Sequence, residues 1–349
     1  MKKFMNKKGW RMKMTMKQWL PTAALTMMIA GAAVAQAPAA AAAPQAPKPQ
    51  EAAAAATPTA FPPVNPKNFT VDTPTVAEVN SFLKSIWGYD TNRTWEVAAI
   101  LKTPAAGVAK VVVFVGENGQ AGGAKTTVFF TTPDGKHAIA DQVIDFGANP
   151  FADNRKVLEE RADGAAKGAT SKNLEFVEFA DLQCPHCKEA QETMANLAKD
   201  FPEAHIVFEN YPIAEIHPFA YRAAAEGVCV RKAKGDAAFF TYVATVYDKQ
   251  AGLTAESADA TLAAAVTAAG GDPKAAATCA DDSATKQAVD ASIALGKDVG
   301  VDQTPLLYVN GHMLPITAMP YETLKKIVVF QAEQDGITVH PQPSLTSLK

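Results

Sequence analysis

The sequence is poor in the features that would place it in several large functional classes. Beyond residue 35 no stretch is long and apolar enough to cross a bilayer. No cluster of Lys and Arg stands anywhere that could line a groove for nucleic acid, and the formal net charge is -3, so no nucleic-acid partner is expected. The first 35 residues hold no acidic side chain, and no cysteine lies near residues 33–35, which removes the basis for a lipid anchor. The chain has 4 cysteines, Cys184, Cys187, Cys229 and Cys279. Only the first two have C-x-x-C spacing, so a four-ligand zinc site lacks its second half. Neither a metal nor another cofactor is expected.

What is present first is the order of parts of a secretory signal. Basic residues from Lys2 to Lys17 precede an apolar run, Trp19 to Val34, which leads into Ala33-Val34-Ala35. Residues 1–35 are therefore expected to be a signal peptide cleaved after Ala35, with Met16 as an alternative start. The competing reading is an uncleaved inner-membrane anchor. Cleavage leaves a mature chain with a formal charge near -10. Export places all four cysteines where disulfides form and persist. Of the three pairings open to four cysteines, spacing favours 184–187 and 229–279.

Residues 36–69 begin with a run of Ala, Pro and Gln and read as a linker with little side-chain surface to bury. The rest is too long for one compact unit, and two domains are expected. The first spans 70–150 as a small α+β domain. Thr75-Val76-Ala77-Glu78 opens a helix, with Val76, Val79, Phe82, Leu83 and Ile86 at helical spacing. Strands follow at 97–101, 108–115 and 127–131, then the turn Pro133-Asp134-Gly135, then one strand over 137–146. Asp134 and His137 belong to that turn and its exit rather than to chemistry. Residues 151–170 read as a linker whose charged helix, 155–166, presents a solvated face.

The second domain, 171–334, opens on the strand Asn173 to Phe179 and continues through a helix to the strand Val207 to Tyr211. An Ala-rich helical insertion occupies about 215–299, broken at Gly235, Gly252 and Gly270-Gly271. Strand character returns at Leu306 to Val309, with the turn Asn310-Gly311 and a closing helix from Tyr321. Residues 335–349 form a tail.

Chemistry concentrates in Cys184-Pro185-His186-Cys187, which follows a strand directly and opens a helix. A cysteine at a helix N-terminus has its thiolate stabilised by unpaired N–H groups and the helix dipole. Two intervening residues bring Cys187 round one turn to meet Cys184. Pro185 fits the first turn, where its missing N–H costs nothing, and the His186 imidazole can add positive potential near the sulfur. The competing readings are half a zinc site and a purely structural disulfide. For Cys229 and Cys279 the expectation is a structural disulfide clipping the insertion, against a second redox relay or free buried thiols.

Phe176 to Cys187 resembles the active-site segment of the bacterial periplasmic DsbA-type thiol–disulfide oxidoreductases. The resemblance implies an α/β thioredoxin-like fold with an inserted helical subdomain, preceded here by the small α+β domain. It implies a reactive, low-pKa Cys184. It makes Glu178 a buried acid that assists proton transfer. It also implies that Thr304-Pro305 is a cis-proline turn facing the dithiol and presenting the Thr304 backbone to substrate.

The segment Thr132 to Asp145 resembles, more locally, the N-terminal dimerisation domain of the DsbC/DsbG isomerases, which implies a homodimer through 70–150. The leading expectation is an enzyme that introduces disulfides into exported proteins through Cys184 and Cys187. Its partners are then unfolded or partly folded cysteine-containing chains and a membrane redox protein. The alternatives are a dimeric isomerase or reductase of the DsbC/DsbG type, and a periplasmic chaperone or binding module with an incidental dithiol.

Overall fold

The computed structural model describes residues 61–119, 124–140 and 142–341. The expected signal peptide, most of the Ala/Pro-rich linker and the end of the C-terminal tail lie outside these residues.

The chain enters through Phe61, whose ring stacks on Phe114 at 6.4 Å, and Phe69 bridges to Ile100. Helix α1 (Val76–Trp87) starts at Thr75, where side chain and backbone exchange hydrogen bonds with Glu78 in a reciprocal cap. Its Val79, Phe82 and Leu83 are buried. They pack on an antiparallel meander of five strands in sequence order: β1 (Arg93–Lys102), β2 (Ala109–Glu117), β3 (Lys125–Thr131), β4 (His137–Ile139) and β5 (Val143–Asp145). Alternation sends Val111, Val113 and Phe129 into this core. The single strand expected over 137–146 is two. The chain turns back between them, with Ala140 N–H donating to Gln142 O, and Ile139 faces Val143. The period-2 pattern continues across the turn, which is why the sequence concealed it.

The linker also differs from expectation. Helix α2 (Ala152–Arg161) ends early, and 165–168 form strand β6 (Ala165–Gly168). Nor is α2 merely a solvated face: Leu158 is fully buried, Phe151 stacks on His312 at 3.9 Å, and Arg155 pairs with Asp335 at 3.1 Å. Gly164 admits the approach of β6, since a Cβ there would sit 2.1 Å from the Phe208 carbonyl oxygen. A run of charged residues hid one apolar anchor and a four-residue edge strand.

The remaining elements are β7 (Glu175–Ala180), α3 (Pro185–Asp200), β8 (His205–Asn210), α4 (Ala220–Lys234), α5 (Asp236–Asp248), α6 (Ala258–Ala268), α7 (Pro273–Ala280), α8 (Ser283–Asp298), β9 (Leu306–Val309), β10 (His312–Leu314) and α9 (Tyr321–Gln334). The second sheet has the order β10-β9-β7-β8-β6. β7 and β8 are parallel across the α3 crossover, and the other pairings are antiparallel. β7 is buried at every position because both faces of the sheet are covered. Phe176 packs toward α3 and α9, while Val177 and Phe179 pack toward α2 and α8.

Helices α4 to α8 lie between β8 and β9, so the inserted helical region interrupts a thioredoxin-like α/β core. Cys229 on α4 and Cys279 on α7 are disulfide-bonded across 50 residues of chain. In the chain-entropy picture that loop restricts the unfolded state by about 4 kcal/mol. Replacing both cysteines by Ala is expected to lower stability by about that amount, read as a lower urea midpoint with a steeper slope, because the unfolded chain without the bond is more expanded.

Candidate active site

β7 ends at Ala180, and residues 181–184 turn into α3, which carries Cys184 as its N-cap and Pro185 in its first turn. Both cysteines are free thiols. Cys184 is 6% exposed and Cys187 is fully buried behind it. The thiol of Cys187 donates to the Cys184 sulfur, and this bond is the largest cause pulling the Cys184 pKa down to about 5. The backbone N–H groups of Cys187 and His186 add to it, against the opposing effect of burial. Cys187 moves the other way: burial, then its bond to Cys184, holds it protonated far above the usual thiol range. One sulfur is therefore a nucleophile and leaving group, and the other a proton-bearing reserve.

The His186 ring is exposed and sits 3.0 Å from Glu189; that hydrogen bond, then the charges of Glu189 and Cys184, raise its pKa. Residue 186 acts on Cys184 chiefly through its backbone N–H. The Thr304–Pro305 bond is cis, and Thr304 O lies 3.7 Å from Cys184 Sγ. The Thr304 hydroxyl is buried with no hydrogen-bond partner of its own, yet it stands close enough to both sulfurs to lower their pKa values.

Glu178 is 3% exposed, on the β7 face that looks toward α3. Burial raises its pKa to about 7, opposed by a hydrogen bond from Gln191 and by the charge of Lys167. Gln191 Nε2 donates at 2.8 Å to Glu178 Oε1 and at 3.1 Å to Cys187 O, so it ties the carboxyl to the backbone of the buried cysteine. Lys167 on β6 is itself shifted down by burial. Neither Gln191 nor Lys167 was singled out in the sequence: a glutamine one helical turn past a motif carries no distinguishing signal.

Further side chains tie the turn down. Gln250 Nε2 donates to Leu182 O and Cys184 O at 3.1 and 2.9 Å. Gln183 accepts from Phe219 N–H and donates to Leu253 O. Asp181, fully buried, accepts from Gln183 N–H, Ile213 N–H and the His217 ring. Five of the groups in these bonds, Ile213, His217, Phe219, Gln250 and Leu253, come from the inserted region or the segment entering it, out of reach of any local pattern. Cys229 and Cys279 stand apart from the dithiol in their own bond. Among the described residues, no group of three or more His, Cys, Asp or Glu side chains is placed to hold a metal.

Comparison with known proteins covers parts of the chain. Residues 161–329 match the family model described as thioredoxin. Among solved structures, the chain is similar to ScsC of Proteus mirabilis in a transitional conformation, at 19% identity over 52% of this chain and 81% of that one, with a TM-score of 0.42. It is similar to oxidised BdbD of Bacillus subtilis at 20% identity over 49% and 93%, with a TM-score of 0.44. The thiol-disulfide exchange protein α-DsbA2 of Wolbachia pipientis gives 20% over 50% and 94%, with 0.43. Among curated proteins, 58 residues are 31% identical to the Na(+)/H(+) antiporter NhaA 3 of Salinispora tropica. That match takes in 17% of this chain and spans only 9% of the antiporter. The region matched by the thioredoxin model is a thioredoxin-like α/β domain with an inserted helical region, and it carries the Cys184–Cys187 pair at the N-terminus of its first long helix.

Proposed function

We infer that the protein is a thiol–disulfide exchange enzyme acting on exported chains, and that it works as an isomerase or reductase. The observation that carries the exchange reading is the paired asymmetry of the two thiols, with Cys184 held as thiolate and Cys187 held protonated beneath it. The Cys184 thiolate attacks one sulfur of a substrate disulfide; that S–S bond breaks and a substrate thiolate leaves, taking up a proton. The resulting mixed disulfide has two exits. A second substrate thiolate can attack the substrate sulfur, giving a rearranged disulfide and restoring the Cys184 thiolate. Alternatively Cys187 loses its proton, attacks Cys184 Sγ and releases a reduced substrate, moving two electrons from enzyme to substrate. Glu178, near neutrality and linked through Gln191, is the group we assign to receive that proton. Thr304 and Pro305 would position the substrate backbone beside Cys184.

The direction rests on the front domain. Val128, Phe130, Ile139 and Val143 are four of the six large apolar side chains most exposed among the described residues. Register places Phe130 beside Ile139 and Ile139 beside Val143, a continuous apolar face turned away from α1. A net disulfide donor has no use for such a face; an enzyme that must hold misfolded chains, or a second copy of itself, does. We assign it to a homodimer. One observation favours the second reading, net donation of disulfides with reoxidation by a membrane partner: a thiolate as stabilised as Cys184 also stabilises the reduced enzyme.

The N-terminal order of basic, apolar and small residues supports export to the periplasm as the setting for either reading. The test is recovery of activity from a scrambled disulfide protein without added oxidant, with solution mass measured alongside. Wild type is expected to be dimeric and active. Phe130→Asp with Val143→Asp is expected to be monomeric and slow on the scrambled protein while still cleaving a small peptide disulfide. A monomeric wild type that only oxidises reduced peptides would transfer the assignment to the second reading.

A further inference from the structure

Asp181 touches both cysteines through its backbone. Its N–H donates to Cys187 Sγ at 3.3 Å, and its carbonyl accepts from Cys184 N–H at 3.1 Å. Its side chain is 0% exposed, and a buried carboxylate is tolerated only when its oxygens are satisfied. Here three donors satisfy it. Gln183 N–H at 2.7 Å closes the active-site turn on one oxygen. Ile213 N–H at 2.7 Å and His217 Nδ1 at 2.9 Å reach the other from the segment after β8. His217 is held in turn by its own N–H to Ile213 O and by its carbonyl to Ala220 N–H, at the mouth of α4. Nothing in the exchange chemistry needs a carboxylate here, and a second acid near two sulfurs opposes a developing thiolate. The arrangement makes sense if the ring fixes the carboxyl and, through it, the backbone of the active-site turn.

We propose that Asp181 and His217 form a positioning pair that aims the Asp181 N–H at Cys187, so that the charge forming on Cys187 during resolution of the mixed disulfide is met by a donor already in place. The inference rests on the exchange reading of the dithiol and names two residues that act on its second step. It divides the two half-reactions. Attack by Cys184 draws on the Cys187 thiol and the helix N-terminus and is largely independent of the pair. Resolution by Cys187 depends on it, because Asp181 N–H is the backbone donor that reaches the Cys187 sulfur.

The test follows reduced full-length protein after rapid mixing with oxidised glutathione. Cys184 thiolate attacks one glutathione sulfur and releases one glutathione thiolate. Cys187, giving up its proton to Glu178, then attacks Cys184 Sγ and releases the second, so the dithiol is oxidised and both glutathiones are reduced. Quenching and mass analysis resolve the two steps. His217→Ala is expected to slow the second step about tenfold, the worth of a hydrogen bond to a charged group, and to leave the first within about twofold. His217→Asn places an amide N–H near the Nδ1 position and is expected to recover most of the loss. A general loosening of the fold would slow both steps and would not discriminate between Ala and Asn. Resolution at the wild-type rate in His217→Ala, or no recovery in a His217→Asn protein of the same melting temperature, overturns the proposal. A wild-type protein that forms no mixed disulfide with glutathione overturns the exchange reading itself.

Discussion

Cys184→Ser is expected to reduce exchange with a peptide disulfide to the uncatalysed rate, while Cys187→Ser accumulates the covalent enzyme–substrate species. The size of the first effect comes from departure more than from attack. At pH 7 a thiol whose pKa is about 5 is almost wholly ionised, against about 3% for an ordinary cysteine, a gain of about 30-fold in reactive form. Intrinsic nucleophilicity falls with basicity, and over that pKa difference the loss is roughly 40-fold. The two nearly cancel. What remains is the leaving-group advantage: a second substrate thiolate that attacks the substrate sulfur of the mixed disulfide expels the weakly basic Cys184 thiolate readily, whereas Cys187 attacks Cys184 Sγ itself and expels the substrate thiolate. Removing Cys187 blocks the second route and leaves only a second substrate thiol. Non-reducing mass analysis after mixing with a substrate that has a single disulfide reads this directly. Free turnover by the Cys184→Ser protein would refute the assignment of the nucleophile.

The second large effect is on stability against pH, and Glu178 sets its sign. Burial holds its folded pKa at about 7, above the value near 4.3 of an exposed glutamate. Between those values the unfolded chain has released a proton that the folded chain retains, so stability falls as pH rises through this window and levels off above it. The loss is on the order of 3 kcal/mol. Cys184 works in the opposite sense in the reduced protein: its depressed pKa contributes stability above the ordinary thiol range, which fades as pH falls toward 5. In the disulfide form Cys184 does not titrate, and Glu178 stands without that opposition. Urea unfolding of the oxidised protein is therefore expected to show a decline from pH 4 to 8 that Glu178→Gln largely removes. Comparing slopes with pH matters more than comparing absolute values, because the glutamine brings two extra donors into a buried site. An identical pH profile in both proteins would mean that the carboxyl is solvated after all.

The features legible in the sequence were those whose cause is local. The cap at Thr75 and Glu78 spans four residues, and the structure shows both halves of it. The helix that starts at Pro185 follows from a strand, a turn and a proline in succession, and the breaks at Gly235, Gly252 and Gly270-Gly271 fall between observed helices. Features that needed distant partners were not legible. Asp181 lies inside the motif-bearing segment, but its partners Ile213 and His217 follow only after a helix and a strand. Gln250 reaches Cys184 O across 66 residues. The contact of His186 with Glu189, three residues along the same helix, went unmarked in the sequence, although the i,i+3 spacing alone could have suggested it. β6 went unseen because Ala165 to Gly168 has no strand composition, and its pairing is supplied entirely by the free edge of β8.

The anchoring of α2 has a mechanical consequence. With Leu158 sunk in the core of the second sheet, Phe151 stacked on His312 and Arg155 paired to Asp335, the helix between the two sheets is packed onto the second. Ser85 Oγ, donating at 2.6 Å to Ala148 O, pins the remaining stretch to α1. The joint is therefore braced at both ends. On the reading proposed above, a chain held on the apolar sheet face meets the Cys184 sulfur only where its disulfide lies at the span this brace sets, so the brace acts as a gauge.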